Sequence, residues 1–457
     1  VLIFTVVSLL FGGCAAPSAP VEPTVDSFPT LLMKGDTLAA SGRRTAAEEI
    51  YREAAAVRPT DPLPHLRLAW LYLGWGRPED GLDAVEAAEQ RGASPAQTES
   101  LRMALHAALG DWETALAYGV SALQRSPADR ETRRLLARAY VALGSAEEAE
   151  WAYRTLLEGD PSDSMTNEQL GVLLAIHDPA AARPYLQAAQ TPLAQDVLDV
   201  LGEEKPAYRL ARIGQACLTH AEPALAVLAL RRAVMLRPVY ADAHALLGQA
   251  LEAMGQDKEA LEHLKRAVDL APRSPLAHSL LGFYYLERGD SRSARPYLET
   301  AYDLDPGNPV VSLYMAWLYA DLGWYDVIGV WLDEAVRLSP DDPRIWEEVV
   351  RFCLERGLTE RAVEAAQRLV EMGPGSAPAH DLLGWALFLN GDVEQAESCF
   401  REALQLDPDL ALAYYHLGQV YLFLGERERA RRFFFRALDF PLAPDLRDRI
   451  ETLLDGL

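Results

Sequence analysis

Residues 414–440 read YYHLGQVYLFLGERERARRFFFRALDF, an apolar run at helical spacing, a glycine at 425, and a second run that ends at Phe440. Pro408 precedes the stretch, and prolines recur at Pro374, Pro340, Pro306, Pro272 and Pro238, each 34 residues from the next. Seventeen residues after each proline stands a glycine: Gly255, Gly289, Gly323, Gly357, Gly391 and Gly425. A constant period with a glycine at its centre predicts two helices of equal length joined by a turn. Ala260, Ala294, Ile328, Ala362, Ala396 and Ala430 follow the prolines by 22 residues, and Ala267, Ala301, Ala335, Leu369, Ala403 and Ala437 by 29. Small residues there let the paired helices approach closely. The frame continues upstream from Pro59, Pro127 and Pro161, with Gly42, Gly76, Gly110 and Gly144 at turns and Ala47, Ala115 and Ala149 in second helices.

Composition agrees with an array. The chain has 457 residues, half of them apolar, whereas one compact core rarely grows past roughly 250 to 300 residues. Its formal net charge of −24 opposes phosphate neutralisation and speaks against a nucleic-acid partner.

Gly418, Tyr421, Ala430 and Ala437 after Pro408 resemble the signature of the tetratricopeptide repeat. The resemblance covers residues 25–441 as twelve units, beginning near 25, 59, 93, 127, 161, 204, 238, 272, 306, 340, 374 and 408. It implies an all-α, right-handed superhelical solenoid of helix-turn-helix repeats, a scaffold on which many binding sites have been built. Residues 442–457, including LAPDLRDRIETLLDGL, suit a capping helix over the apolar face of the last unit. The unit at Pro161 lacks a turn glycine and the next begins late, after TPLAQDVLDVLGEEKPA. This predicts a junction at 194–203, with a short helix near Ala194 to Leu201, between five repeats in 25–193 and seven in 204–441. A tolerated surface insertion is the alternative.

By the same resemblance, first helices line the concave side, and positions about 4, 7, 11, 14 and 15 after each proline face the groove. Trp385, Phe388 and Leu389 fall on such positions, as do Phe283, Trp317, Tyr415, Leu422, Phe423 and, in the N-terminal half, Trp70. Acidic residues interleave with them, among them Glu287, Asp321, Glu355 and Asp381. An apolar strip with an acidic border suits a protein or peptide ligand with hydrophobic anchors and basic flanks. Aromatic faces also suit sugar rings, which keeps a polysaccharide ligand open. Superhelical winding that buries some of these aromatics against neighbouring repeats is the bland reading.

Phosphate-cradling GxxxxGK[ST], HExxH, GxSxG and paired CxxC motifs are all missing. No enzyme, cofactor or metal is expected. His244, His278 and His380 share the position six residues after the proline, where Trp346 stands in another unit, and read as semi-polar packing residues more readily than as ligands. Cys217, Cys353 and Cys399 read as inert buried thiols. The arginines of RERARRFFFR read as a solvated helix face, with anionic lipid as the alternative.

The first residues, VLIFTVVSLLFGGCAAPSAPVEPT, hold an apolar run too short to span a bilayer as a helix. They resemble the lipobox of bacterial lipoproteins, with Phe11 where leucine is usual, then Gly12 and Gly13 before Cys14. The resemblance implies a signal peptide over 1–13, acylation of Cys14 and a Pro/Ala-rich tether over 14–29. The expected setting is the bacterial cell envelope, lipid-anchored and facing the periplasm, on the outer membrane in preference to the inner. The expected role is non-enzymatic assembly of an envelope machine such as a pilus, secretion system or polysaccharide exporter. A glycan-binding protein of exopolysaccharide export and a cytoplasmic adaptor are the alternatives.

Overall fold

Most repeat boundaries that carry a proline use three positions. The proline stops the preceding helix. The residue two places on caps the next: Asp129, Asp163, Ser274, Asn308, Asp342 and Ser376 all accept backbone N–H groups from the first turn that follows. The residue six places on then faces the proline's own carbonyl, otherwise an orphan acceptor. Arg133 meets Pro127 at 2.6 Å, Asn167 meets Pro161 at 2.9 Å and Trp346 Nε1 meets Pro340 at 2.8 Å. Tyr414, His278 and His380 reach Pro408, Pro272 and Pro374 at 3.0 Å, and His244 reaches Pro238 at 3.1 Å. Arginine, asparagine, histidine, tryptophan and tyrosine interchange at this position because each brings a donor of sufficient reach. At the turns, all ten predicted glycines take positive φ, between 69° and 97°.

The computed structural model describes residues 27–457. The expected signal peptide and Cys14 lie outside the described residues, as does most of the tether. The first five helix pairs are α1 (Phe28–Ala40) with α2 (Arg44–Val57), α3 (Leu63–Gly74) with α4 (Pro78–Gln90), α5 (Pro95–Ala108) with α6 (Trp112–Arg125), α7 (Arg130–Ala142) with α8 (Ala146–Gly159), and α9 (Ser164–His177) with α10 (Pro179–Ala189). A lone short helix follows, α11 (Pro192–Val200). Next come α12 (Pro206–Thr219) with α13 (Pro223–Leu236), α14 (Ala241–Ala253) with α15 (Asp257–Leu270), and α16 (Pro275–Glu287) with α17 (Ser291–Leu304). The last pairs are α18 (Pro309–Asp321) with α19 (Tyr325–Leu338), α20 (Pro343–Glu355) with α21 (Thr359–Met372), α22 (Ala377–Asn390) with α23 (Val393–Leu406), and α24 (Ala411–Phe423) with α25 (Arg427–Leu438). Helix α26 (Pro444–Asp455) ends the chain. No strand occurs among the described residues. The architecture is the all-α superhelical solenoid that the period implies.

Within a pair, close approach depends on a glycine in the first helix: a Cβ on Gly384 would stand 2.7 Å from the Phe400 ring, and one on Gly418 2.4 Å from Phe434. From α14 to α24, first helices of successive repeats pack on one another, while second helices pack on the first helix of the next unit. First helices therefore occupy the inner side of the curve.

Where the Pro161 unit lacks its glycine, Asp178 ends α9 and at once caps α10, so no left-handed turn intervenes. Ala221 takes φ 56° in the glycine's place between α12 and α13. Helix α11 buries Leu193, Ala194 and Val197, and one core runs unbroken from Ala137 through these residues to Tyr284. Gln169 on α9 donates to Glu222 at 3.1 Å. The junction is packed.

The two ends of the array meet. Thr45, in the first turn of α2, donates its backbone N–H to the Asp439 carboxylate at 3.0 Å and its hydroxyl to the same oxygen at 2.8 Å. Arg44 donates to the Asp439 carbonyl at 2.6 Å, and Arg436 pairs with the Asp439 carboxylate at 3.1 Å. Trp75, at the α3–α4 turn, is fully buried and donates its indole N–H to the Leu438 carbonyl at 2.6 Å. Helix α26 buries Ile450 against the last repeats and lays Arg447 over the Trp75 ring. The cap thus covers both ends, and the solenoid closes head to tail.

Candidate partner-binding groove

The inner faces of α16, α18, α20, α22 and α24 bring most of the predicted groove residues into one strip. Phe283 stacks on Tyr314 with 4.5 Å between ring centroids. Trp317 meets Phe352 edge-on at 4.7 Å, and the Arg356 guanidinium lies 5.2 Å over the Trp317 ring. Trp385 stacks on Phe388 at 5.4 Å, and Phe388 meets Phe423 edge-on at 5.7 Å. Leu389 and Phe423 are the open end of this ladder, 41% and 70% exposed. Trp317, Trp385, Phe388 and Leu422 are half-buried against the core. Trp385 has a structural share that its position alone does not announce, since its other face lies flat on His416 at 4.4 Å.

Two predicted residues stand elsewhere. Tyr415 is only 7% exposed and packs among Phe434 and His416, so it belongs to the core and not to the groove wall. Asp381 is 3% exposed and pairs with His416 at 2.8 Å, so it is an internal strut between α22 and α24 and not a rim charge. For Asp381 the physical reason is inter-repeat twist, which turns position seven of its unit onto position eight of the next; Tyr415, in the last unit, is covered by Phe434 of its own second helix. Trp70 is exposed but lies apart from the ladder, in a cavity of about 530 Å³ in the N-terminal half with Ser100, Ala104, Leu135 and Arg138.

The remaining acids do line the strip, and they differ in whether a cation answers them. Asp321 is paired with Arg356 at 2.6 Å and accepts from Ser291. Glu252 is paired with Arg288 at 2.6 Å. Glu287 and Glu355 are exposed and in no ion pair with a described residue. Although Glu287 is exposed overall, partial desolvation by its neighbours raises its carboxyl above the ordinary 4.5, with the Glu252 charge adding to it and Arg288 opposing it. Partial desolvation likewise raises Glu348, which is also exposed; Arg351 opposes the shift and Glu347 and Glu355 add to it. Sequence reasoning missed Tyr314, Glu348 and His416. All three stand eight residues after their prolines, one place beyond the positions considered.

No group of three or more His, Cys, Asp or Glu suited to a metal occurs among the described residues. His244 and His263 form a pair, Nδ1 to Nδ1 at 2.8 Å, and His244 spends its other nitrogen on Pro238. Cys217 and Cys353 are buried, and burial raises the Cys353 and Cys399 thiols to about 11, which leaves them protonated at neutral pH.

Known proteins resemble stretches of this chain. Mouse superkiller complex protein 3 is 39% identical over 77 residues, 17% of this chain. The match spans only 5% of that relative's length. Yeast Tom70 resembles 94% of this chain over 95% of its own, at 14% identity and a TM-score of 0.43. A tetratricopeptide repeat protein from Parabacteroides merdae resembles 55% of this chain over 97% of its own, at 17% identity and a TM-score of 0.43. Family models described as TPR repeat or tetratricopeptide repeat match residues 32–97, 106–165, 241–283, 277–308, 331–377, 384–425 and 411–440. Those matches recur along the chain from residue 32 to residue 440, and the chain belongs to the tetratricopeptide repeat family.

Proposed function

We propose that this protein is a non-enzymatic scaffold of the bacterial cell envelope, held to the membrane by a lipid on Cys14, that grips a protein partner in the concave strip of its C-terminal repeats. The carrying observation is the ladder from Trp385 through Phe388 to Phe423, built on packed helices and left open at Leu389 and Phe423. An exposed aromatic on a rigid support is the form of a binding hot spot. Glu287, Glu348 and Glu355, none in an ion pair among the described residues although Arg288 and Arg351 lie near the first two, favour a partner that brings lysine or arginine beside its apolar anchors. The lipid anchor rests on residues 1–14 and their lipobox resemblance, and assembly of a pilus, secretion system or polysaccharide exporter is the role that this setting suggests.

Capture from envelope extract on the immobilised repeat array tests the reading. A protein retained by the native array, lost with Phe423→Ala and unaffected by added polysaccharide supports it. Retention equal in both arrays overturns the groove, and displacement by polysaccharide moves the function to glycan handling.

A further inference from the structure

The seam where the solenoid closes contains a charge that the chain does not answer. Arg447 on α26 is 6% exposed, its guanidinium carbon lies 4.9 Å over the Trp75 ring, and its Nη2 has no hydrogen-bond partner. No carboxylate of the described residues lies within ion-pair distance of it. An unpaired guanidinium in so enclosed a place is costly unless an anion joins it.

Space for that anion is present. Arg447 lines a cavity of about 380 Å³ whose walls come from both ends of the chain, from α2, the α3–α4 turn, α25 and α26. Its enclosed charges are Arg77 and Glu48, while Arg52 and Arg431 are exposed at the rim. Glu48 is already committed, accepting from Tyr72 at 2.5 Å and pairing with Arg52 at 2.8 Å, with Arg77 at 3.7 Å. Glu49, Glu451 and Asp455 also border the cavity but are exposed at its mouth, where water screens them. Burial and the Arg77 charge together destabilise the Arg447 cation more than the surrounding carboxylates support it.

We infer that the head-to-tail seam is a binding site for a small oxyanion, a carboxylate or phosphate group, held by the fork of Arg447 against Trp75 with Arg77 beside it. Guanidinium matches such groups in two-point geometry. Because first and last repeats both supply the walls, occupancy favours the closed ring over an open superhelix. The inference does not depend on what the concave groove binds.

The test uses the full repeat array at constant ionic strength, titrated with inorganic phosphate and, separately, with acetate, against sodium chloride. Melting midpoint and calorimetric heat are read. The expected result is a saturable rise in the midpoint with one or both oxyanions, beyond that with chloride, and affinity about ten-fold lower or more in Arg447→Gln. Response to phosphate alone or acetate alone identifies the source. A response no larger than chloride's, or one unchanged in Arg447→Gln, overturns the site. Should Arg447→Gln not fold, Arg447→Lys keeps the charge without the fork; weaker binding in that variant supports the assignment and equal binding overturns it.

Discussion

The carboxylate of Asp439 caps helix α2 by accepting the Thr45 backbone N–H at 3.0 Å, from 394 residues further along the chain. A helix start normally finds its cap in the residue just before it, but Arg43 supplies none. The far end of the array completes the first repeat, and the fold is thereby closed.

Asp439→Ala removes this cap and leaves Arg436 short of a carboxylate, while the bond from Arg44 to the backbone carbonyl remains, so it should cost about 1 to 2 kcal/mol. The more telling effect is shape. Small-angle scattering should show a larger radius of gyration for Asp439→Ala combined with Trp75→Phe, which keeps the ring but deletes the bond to Leu438. Helicity should not change. Equal scattering from native and double variant would show that α26 alone holds the seam.

The pair of His244 and His263 predicts a pH dependence. Burial lowers both below the ordinary 6.5, and for His263 the His244 charge adds to it, while Glu259 pulls the other way. The unfolded chain thus takes up protons near 6.5 while the folded pair does not, so the unfolded state binds more protons and stability falls as pH drops below that value. Melting followed from about pH 7.5 to about pH 5.5 should show this slope, and His263→Asn, which still offers an amide donor to His244, should flatten it. An unchanged slope would place the acid sensitivity elsewhere.

Ser312 stands where other units carry histidine, tryptophan or tyrosine, six residues after Pro306, and its hydroxyl is buried without a partner. The side chain is too short to reach the proline carbonyl. Ser312→Ala should therefore be neutral or stabilising by up to about 1 kcal/mol, because it removes an unsatisfied polar group. Chemical denaturation measures this directly, and a loss of stability would mean that the hydroxyl has a partner in water.

The repeat was legible because its signals are local. Proline, cap, turn glycine and small packing residues act within one unit and recur every 34 residues, so each confirms the next. Head-to-tail closure was not legible, since Asp439 and Leu438 meet Thr45 and Trp75 only after the rotation of every intervening repeat is summed. Asp381 failed for the same reason on a smaller scale: its position along α22 is readable, but its burial depends on how far α24 is turned to present His416. Trp385 is intermediate, readable as inward-facing and yet half engaged with that same histidine.

Anchoring is tested at Cys14. The precursor with its leader should enter the membrane fraction, whereas Cys14→Ser should remain uncleaved or leave the membrane. Equal processing and partitioning of the two forms would remove the lipid anchor and favour a cytoplasmic adaptor.

The groove is tested by separating residues that hold the array together from residues that wait on its inner face. Leu417 is buried in the seam between helices, so Leu417→Ala should cost on the order of 2 to 5 kcal/mol. Phe423 and Leu389 are open to solvent, so truncating both should leave the melting point nearly unchanged while weakening partner binding by about 2 kcal/mol or more. Trp385→Ala should do both, because it uncovers the buried pair of Asp381 and His416 as well as shortening the ladder. Glu287→Gln with Glu348→Gln removes two exposed charges from the strip, so the melting point should stay nearly unchanged while association with a basic partner slows. The deciding comparison is melting point against affinity in the Phe423→Ala, Leu389→Ala double variant. If its melting point falls as far as that of Leu417→Ala, these side chains support the repeats and not a partner, and the ladder is simply the inner edge of the core.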